Sequence, residues 1–257
     1  MGASVATALP AAPGANDRKG YLMSYVFPPP PVTSVPVLGT EARFPVHRIY
    51  CVGRNYEEHA QEMGFTGREP PFFFMKPADA LVLAAGEAPA LLPYPSLTQN
   101  LHHEIELVVA IGKGGRDIAA ADAHQHIFGY AVGLDMTRRD HQANALAKGL
   151  PWEVTKGFDH SAPVGPITRA SDCGILTSGH VKLAVNGQVK QDADISLMIW
   201  KVDEIIAKLS EQHRLMAGDI IMTGTPAGVG AVVTGDVLEC SVDGLQPMQV
   251  RIGGKAA

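Results

Sequence analysis

The sequence predicts a β-rich α+β protein with few helices. Three observations carry this. Short runs of β-branched, aromatic and other apolar residues recur along the chain, many of them closed by Gly, Pro or Asn. Gly and Pro together make up about 18% of the residues against a usual ~12%, as many tight turns between short strands require. One stretch, residues 197–209, carries apolar side chains near helical spacing, at Leu197, Met198, Val202, Ile205, Ile206 and Leu209.

In chain order, residues 1–20 are rich in Ala, Pro and Gly. They lack the basic start and apolar centre of a signal peptide, and Ala6 stands where a myristoylation pattern wants Ser or Thr. A disordered tail is expected there, with Met23 a second candidate start. Residues 27–36, FPPPPVTSVP, can form neither helix nor central strand, because proline fixes φ and removes a donor; an extended surface arm is expected. Residues 48–52, closed by Gly53, read as a strand, 56–63 have helical composition, and 70–77 resume an extended path. The run Ile105–Ile111, ended by Gly112, is apolar almost throughout, as in a strand buried on both faces. Further strands are expected at 130–134, 181–185, 220–223, Val237–Val242 and 248–252, with Asn186-Gly187 as a hairpin turn. There is no internal repeat.

With 257 residues, 46% hydrophobic and 18% charged, the chain can bury one large core. A net charge of -5 offers no basic footprint for nucleic acid or anionic lipid, which leaves a small molecule as the expected partner. No apolar run approaches the roughly 18 residues of a membrane-spanning helix. Cys51, Cys173 and Cys240 are odd in number and widely spaced, fitting neither a disulfide framework nor a C-x-x-C site, and point to a reducing, cytoplasmic compartment.

The chemistry concentrates in a few segments. In Leu101-His102-His103-Glu104-Ile105-Glu106, two-residue alternation along a strand puts Glu104 and Glu106 on one face. Paired carboxylates near a core need a cation, and oxygen ligands favour Mg²⁺ or Mn²⁺; the alternative is a solvated strand edge. Asp135 closes the apolar run 130–134 and suits either a third ligand or a helix N-cap. His59 and Glu62 are three apart, on one face of a helical turn, as a general base and its orienting carboxylate would be, although any exposed helix can carry such a pair. Lys156 could present a cation to a developing oxyanion or be merely solvated. The loop Thr223-Gly224-Thr225-Pro226-Ala227-Gly228-Val229-Gly230 could hold a carboxylate with its backbone amides, and lacks the G-K-[ST] of a phosphate loop.

Taken in order, these blocks resemble the fumarylacetoacetate hydrolase family over about residues 46–252. The resemblance rests on Gly53-Arg54-Asn55-Tyr56 with His59 and Glu62, Phe74-Met75-Lys76-Pro77, His102-His103-Glu104-Ile105-Glu106 and Gly133-Leu134-Asp135-Met136-Thr137. It continues through Gly149-Leu150-Pro151-Trp152 with Lys156, and Gly218-Asp219-Ile220-Ile221 into Thr223-Gly224-Thr225-Pro226. It implies a rolled β-sheet or β-sandwich core, a catalytic domain over 46–252 between an arm at 1–45 and a tail at 253–257, and a homodimer. It also implies a Mg²⁺ or Mn²⁺ ion on Glu104, Glu106 and Asp135, a His59–Glu62 dyad on a segment that closes over the substrate, and Lys156 as the positioned cation.

The implied reaction is metal-dependent hydrolysis of the carbon–carbon bond of a 2,4-diketo acid. Within the family the chain is most similar to bacterial fumarylpyruvate hydrolases of gentisate breakdown. Such a substrate carries a distal carboxylate, for which Arg54, Arg138 and Arg139 are candidates, Arg139 being the family-like position; Gln142 and Thr225 would complete the substrate contacts. Acylpyruvate hydrolysis, oxaloacetate decarboxylation, and isomerisation or decarboxylation of dienedioates are rivals within the family. A non-catalytic binding protein would have no physical need for three mutually repelling carboxylates.

Overall fold

The computed structural model describes residues 25–62, at 60–62 the backbone alone, and 68–255. The tail expected over 1–20 lies outside the described residues. In chain order the first half contains β1 (Ser34–Pro36), β2 (Arg43–Pro45), β3 (Ile49–Gly53), α1 (Glu57–Glu62), β4 (Phe72–Lys76), β5 (Leu81–Leu83), β6 (Ala90–Tyr94), β7 (Leu101–His103), β8 (Ile105–Ile111) and β9 (Ile127–Leu134). There follow β10 (Thr137–Arg138), α2 (Arg139–Lys148), α3 (Glu153–Lys156), β11 (Ala162–Val164), β12 (Thr168–Arg169), α4 (Ala170–Cys173), β13 (His180–Val185) and β14 (Gln188–Asp194). The last elements are α5 (Val202–Gln212), β15 (Ile220–Met222), β16 (Gly230–Val232), β17 (Val237–Val242) and β18 (Met248–Lys255).

The apolar run of β8 is buried at every position, and its side chains alternate between two cores. Leu107, Val109 and Ile111 face one core with Tyr50, Tyr130 and Ile221; Val108 and Ala110 face the other with Ile49, Cys51 and Met222. These strands form a curled eight-stranded sheet, ordered β4-β3-β15-β8-β9-β11-β5 with β12 on β9. The first core is closed by a five-stranded sheet, ordered β14-β13-β17-β18-β6, and by the apolar stripe of α5. Asn186 and Gly187 both adopt positive φ in the β13–β14 hairpin, as a tight turn between twisted strands demands.

Three expectations need correction. The proline-rich arm does not stay on the surface to residue 45: β1 and β2 pair as a hairpin that buries Val35, Val37 and Phe44 in the second core, and the compact unit begins at Val32. Pro36 is tolerated because this ladder has two strands only, and its carbonyl accepts from Ile167 N–H. The long helix begins at Val202 rather than Leu197, since the N–H groups of Ile199 and Trp200 bond Asn55 instead of a helical turn. Strand β18 runs to Lys255, past the expected boundary at 252. Helix α2 carries no apolar stripe, because only Gln142 and Ala145 on it are buried; its sequence signals are the Ala-rich composition and the left-handed Gly149 that ends it. Among the described residues no helix is long and apolar enough to cross a membrane.

Candidate active site

The site begins with a register. The β8–β9 ladder pairs Ile105 with Leu134 and Glu106 with Gly133, and Asp135 N–H continues it by donating to Glu104 C=O at 2.9 Å. Asp135 therefore lies across from Glu104, on the sheet face that Glu106 shares with Val108. Gly133 makes room on that face, where a Cβ would come within 2.5 Å of the Val108 side chain. The result is a buried group of three carboxylates, Glu104, Glu106 and Asp135, whose ligand oxygens lie within 4.8 Å of one another. Neither a solvated strand edge nor a helix cap describes them: all three are buried, and α2 starts only at Arg139.

Cations surround this group. From the end of α3, Lys156 Nζ donates to Glu104 Oε2 at 2.7 Å and to Asp135 Oδ2 at 2.6 Å. At the start of α2, Arg139 Nη2 donates to Glu104 Oε1 at 2.5 Å, and its other amino group donates to Gln142 Oε1. The site holds one residue that sequence reasoning did not single out, Lys76 of β4, which is buried with Nζ 2.8 Å from Asp135 Oδ1. Its Nζ donates to the carbonyls of Met136, 3.2 Å away, and of Lys156. The block Phe74-Met75-Lys76-Pro77 carried it in the family resemblance, without a role assigned to the lysine. Glu106 has no such partner in these ion pairs; it accepts Gly224 N–H at 2.7 Å, so the glycine loop does hold a carboxylate, one from its own chain.

The electrostatics follow from this arrangement. Burial pushes Glu106 well above the usual carboxylate range, and the charges of Asp135 and Glu104 push it further. Burial acts on Glu104 in the same direction, yet Lys156, Arg139 and His59 outweigh it and hold that carboxyl well below its ordinary value. Lys156 is raised, burial being overcome by Asp135 and Glu104. His102 falls to about 4 through burial and the Arg139 charge beside it.

The donor set fits a hard divalent cation. All three ligands offer oxygen, Glu106 is destabilised as long as its neighbours are charged, and Asp135 Oδ1 is buried with no hydrogen-bond partner among the described residues. Glu104, Glu106 and Asp135 would hold the ion.

A narrow cleft opens on the three carboxylates. It brings together the expected Arg54, His59, Gln142, Lys156 and Thr225, with Phe74 and Trp152 as an apolar wall. The Arg54 guanidinium lies 5.5 Å from the Phe72 ring centre and 6.0 Å from that of Trp152. His59 sits on α1, which also carries Glu62 three residues on; the side chain of Glu62 lies outside the described residues. Arg139 reaches the site through Glu104 and Gln142 rather than by lining the cleft. Arg138 turns elsewhere, stacking 4.5 Å over Phe158 and donating to the Val154 carbonyl.

The model of the fumarylacetoacetate (FAA) hydrolase C-terminal family matches residues 48–253. The chain belongs to this family. It is an enzyme, a hydrolase of carbon–carbon bonds, in a family whose members also include decarboxylases. It is 43% identical to a fumarylpyruvate hydrolase of Ralstonia sp over 72% of its own length and 94% of that protein's. To a mitochondrial oxaloacetate decarboxylase of Dictyostelium discoideum it is 41% identical, over 77% of this chain and 89% of the other. The crystal structure of fumarylpyruvate hydrolase from Pseudomonas aeruginosa in complex with Mn²⁺ and pyruvate superposes with a TM-score of 0.89 at 49% identity, covering 90% of this chain and all of that one. The rolled β architecture with few helices is thus the fold of this family, and the carboxylate group is a candidate site for a divalent metal such as the Mn²⁺ of the Pseudomonas structure.

Proposed function

We propose that this family member hydrolyses fumarylpyruvate to fumarate and pyruvate, as a cytoplasmic homodimer in gentisate breakdown using Mg²⁺ or Mn²⁺. The observation that carries the reading is one cleft in which three buried carboxylates meet His59, Lys156 and Arg54. The Ralstonia and Pseudomonas relatives support the substrate.

When bound, the divalent ion supplies positive charge for the carboxylate and 2-oxo end of the substrate. His59 takes a proton from the water that attacks the C4 carbonyl, and Glu62, one helical turn on, orients the imidazole. Lys156 stabilises the alkoxide formed at C4. Gln142 assists: its oxygen is occupied by Arg139, which leaves its NH₂ to donate. Collapse breaks the C3–C4 bond, the electron pair leaves with C3 as the enolate of pyruvate, and a proton returned to C3 completes the products. Arg54 pairs with the distal carboxylate and Thr225 with the pyruvate end.

The test is loss of the ultraviolet absorbance of fumarylpyruvate, with and without Mg²⁺, with pyruvate assayed as product. Metal-dependent loss matched by pyruvate is expected. No loss, with oxaloacetate consumed instead, would transfer the substrate to the decarboxylase reading that the Dictyostelium relative supports.

A further inference from the structure

The five-stranded sheet sends the Gln191 side chain between the carboxylate strand and the loop bearing Thr225. Gln191, on β14, is 1% exposed, and each of its polar atoms is used. Its Oε1 accepts from Ile105 N–H at 3.2 Å and lies 2.9 Å from His103 Nδ1. Its Nε2 donates to Thr225 Oγ1 and to the Pro226 carbonyl, both at 2.8 Å. The amide orientation is not arbitrary: Ile105 N–H requires an acceptor and the Pro226 carbonyl a donor. His103 must then carry its proton on Nδ1.

One consequence concerns Thr225. Its oxygen accepts from Gln191, so its own hydrogen is directed away from that bond and can donate to a ligand in the cleft that Thr225 lines. A second concerns placement. Ile105 lies between the carboxylates Glu104 and Glu106, while the loop bearing Thr225 also supplies Gly224 N–H to Glu106. The same loop is seated on β14 at Gly228, where a Cβ would come within 2.1 Å of the Lys190 carbonyl and φ is +92°. Gln191 thus joins the carboxylate strand to the loop opposite it.

We infer that Gln191 is a positioning residue that holds the Thr225 hydroxyl as a donor to the carboxylate of the 2-oxo acid bound in the cleft. The inference rests on the reading of the site as one for 2-oxo acids and adds the residue that sets one of its contacts.

The test is calorimetric titration of the full-length enzyme, saturated with Mn²⁺, with pyruvate. Gln191→Met and Thr225→Val are each expected to weaken pyruvate binding about tenfold, as loss of one hydrogen bond to a charged group does. The double variant should be no weaker than Thr225→Val alone, because Gln191 acts through Thr225. In cleavage of acetylpyruvate the same variants should raise KM more than they lower kcat. Gln191→Glu, which keeps an acceptor for Ile105 and His103 and loses the amide donor, decides the matter if the methionine variant does not fold. Undiminished pyruvate binding in the Gln191 variants, losses that multiply in the double variant, or no pyruvate binding by the wild type would overturn the inference. Pyruvate bound as expected with no diketo acid cleaved would strike the hydrolase reading and leave this one standing.

Discussion

Lys76 Nζ lies 2.8 Å from Asp135 Oδ1, and both side chains are buried. The lysine also donates to the backbone carbonyls of Met136 and Lys156, so one ammonium group ties β4 to the carboxylate group and to the end of α3. Lys76→Met leaves two carbonyls without a donor and removes a neutralising charge from Asp135. It should destabilise the metal-free protein by ~3 kcal/mol, at the lower end for a broken buried pair because Lys156 still bonds Asp135. Thermal unfolding in the presence of a chelator measures this, and an unchanged Tm would show that the pairing contributes nothing.

Glu106→Gln keeps the shape of the side chain and an acceptor for Gly224 N–H while removing one of three repelling charges. The metal-free variant should unfold at a higher temperature than the wild type, and its affinity for Mn²⁺ should fall about a hundredfold or more. Calorimetric titration reads the second effect. Mn²⁺ traces that coincide would remove these carboxylates as the metal site.

Arg54 and Arg139 should separate in their effects. Arg54 lines the cleft and stacks beside Trp152, so Arg54→Met should raise KM for fumarylpyruvate at least about tenfold and leave acetylpyruvate, which lacks the distal carboxylate, within about threefold. Arg139 holds Glu104 and Gln142, so Arg139→Met should impair both substrates alike. Equal losses on both substrates in the Arg54 variant would count against its assignment.

Asp140 supplies a pH dependence away from the metal. Burial works to raise its carboxyl, but the Thr98 hydroxyl at 2.6 Å and the N–H groups of Gln99 and His141 more than offset it, and the group sits below its ordinary value. A carboxylate depressed in the folded state stabilises the fold above its unfolded pKa, and that contribution disappears as pH falls through the folded value. Asp140→Asn should therefore lower Tm near neutrality, by the equivalent of under about 1 kcal/mol for so exposed a group, and the difference should vanish toward about pH 3. A difference that persists in acid would mean that packing, not charge, is responsible.

Local rules made much of this protein legible in its sequence. A nearly continuous apolar run announced β8, and two-residue alternation put Glu104 and Glu106 on one face; positive φ at Asn186 and Gly187 followed from the Asn-Gly pair; and the apolar stripe of α5 was visible, though not its start. Ordered motifs also named His59, Asp135, Lys156 and Thr225. What they could not supply is whatever depends on which strands meet. Asp135 joins Glu104 only through the β8–β9 register, Lys76 reaches Asp135 from the edge strand of the same sheet, and Gln191 arrives from another sheet altogether. The physical reason is range: periodicity and turn conformation are set by neighbours a few residues apart, whereas charge compensation at a buried centre is set by groups that only the folded chain brings within hydrogen-bonding distance.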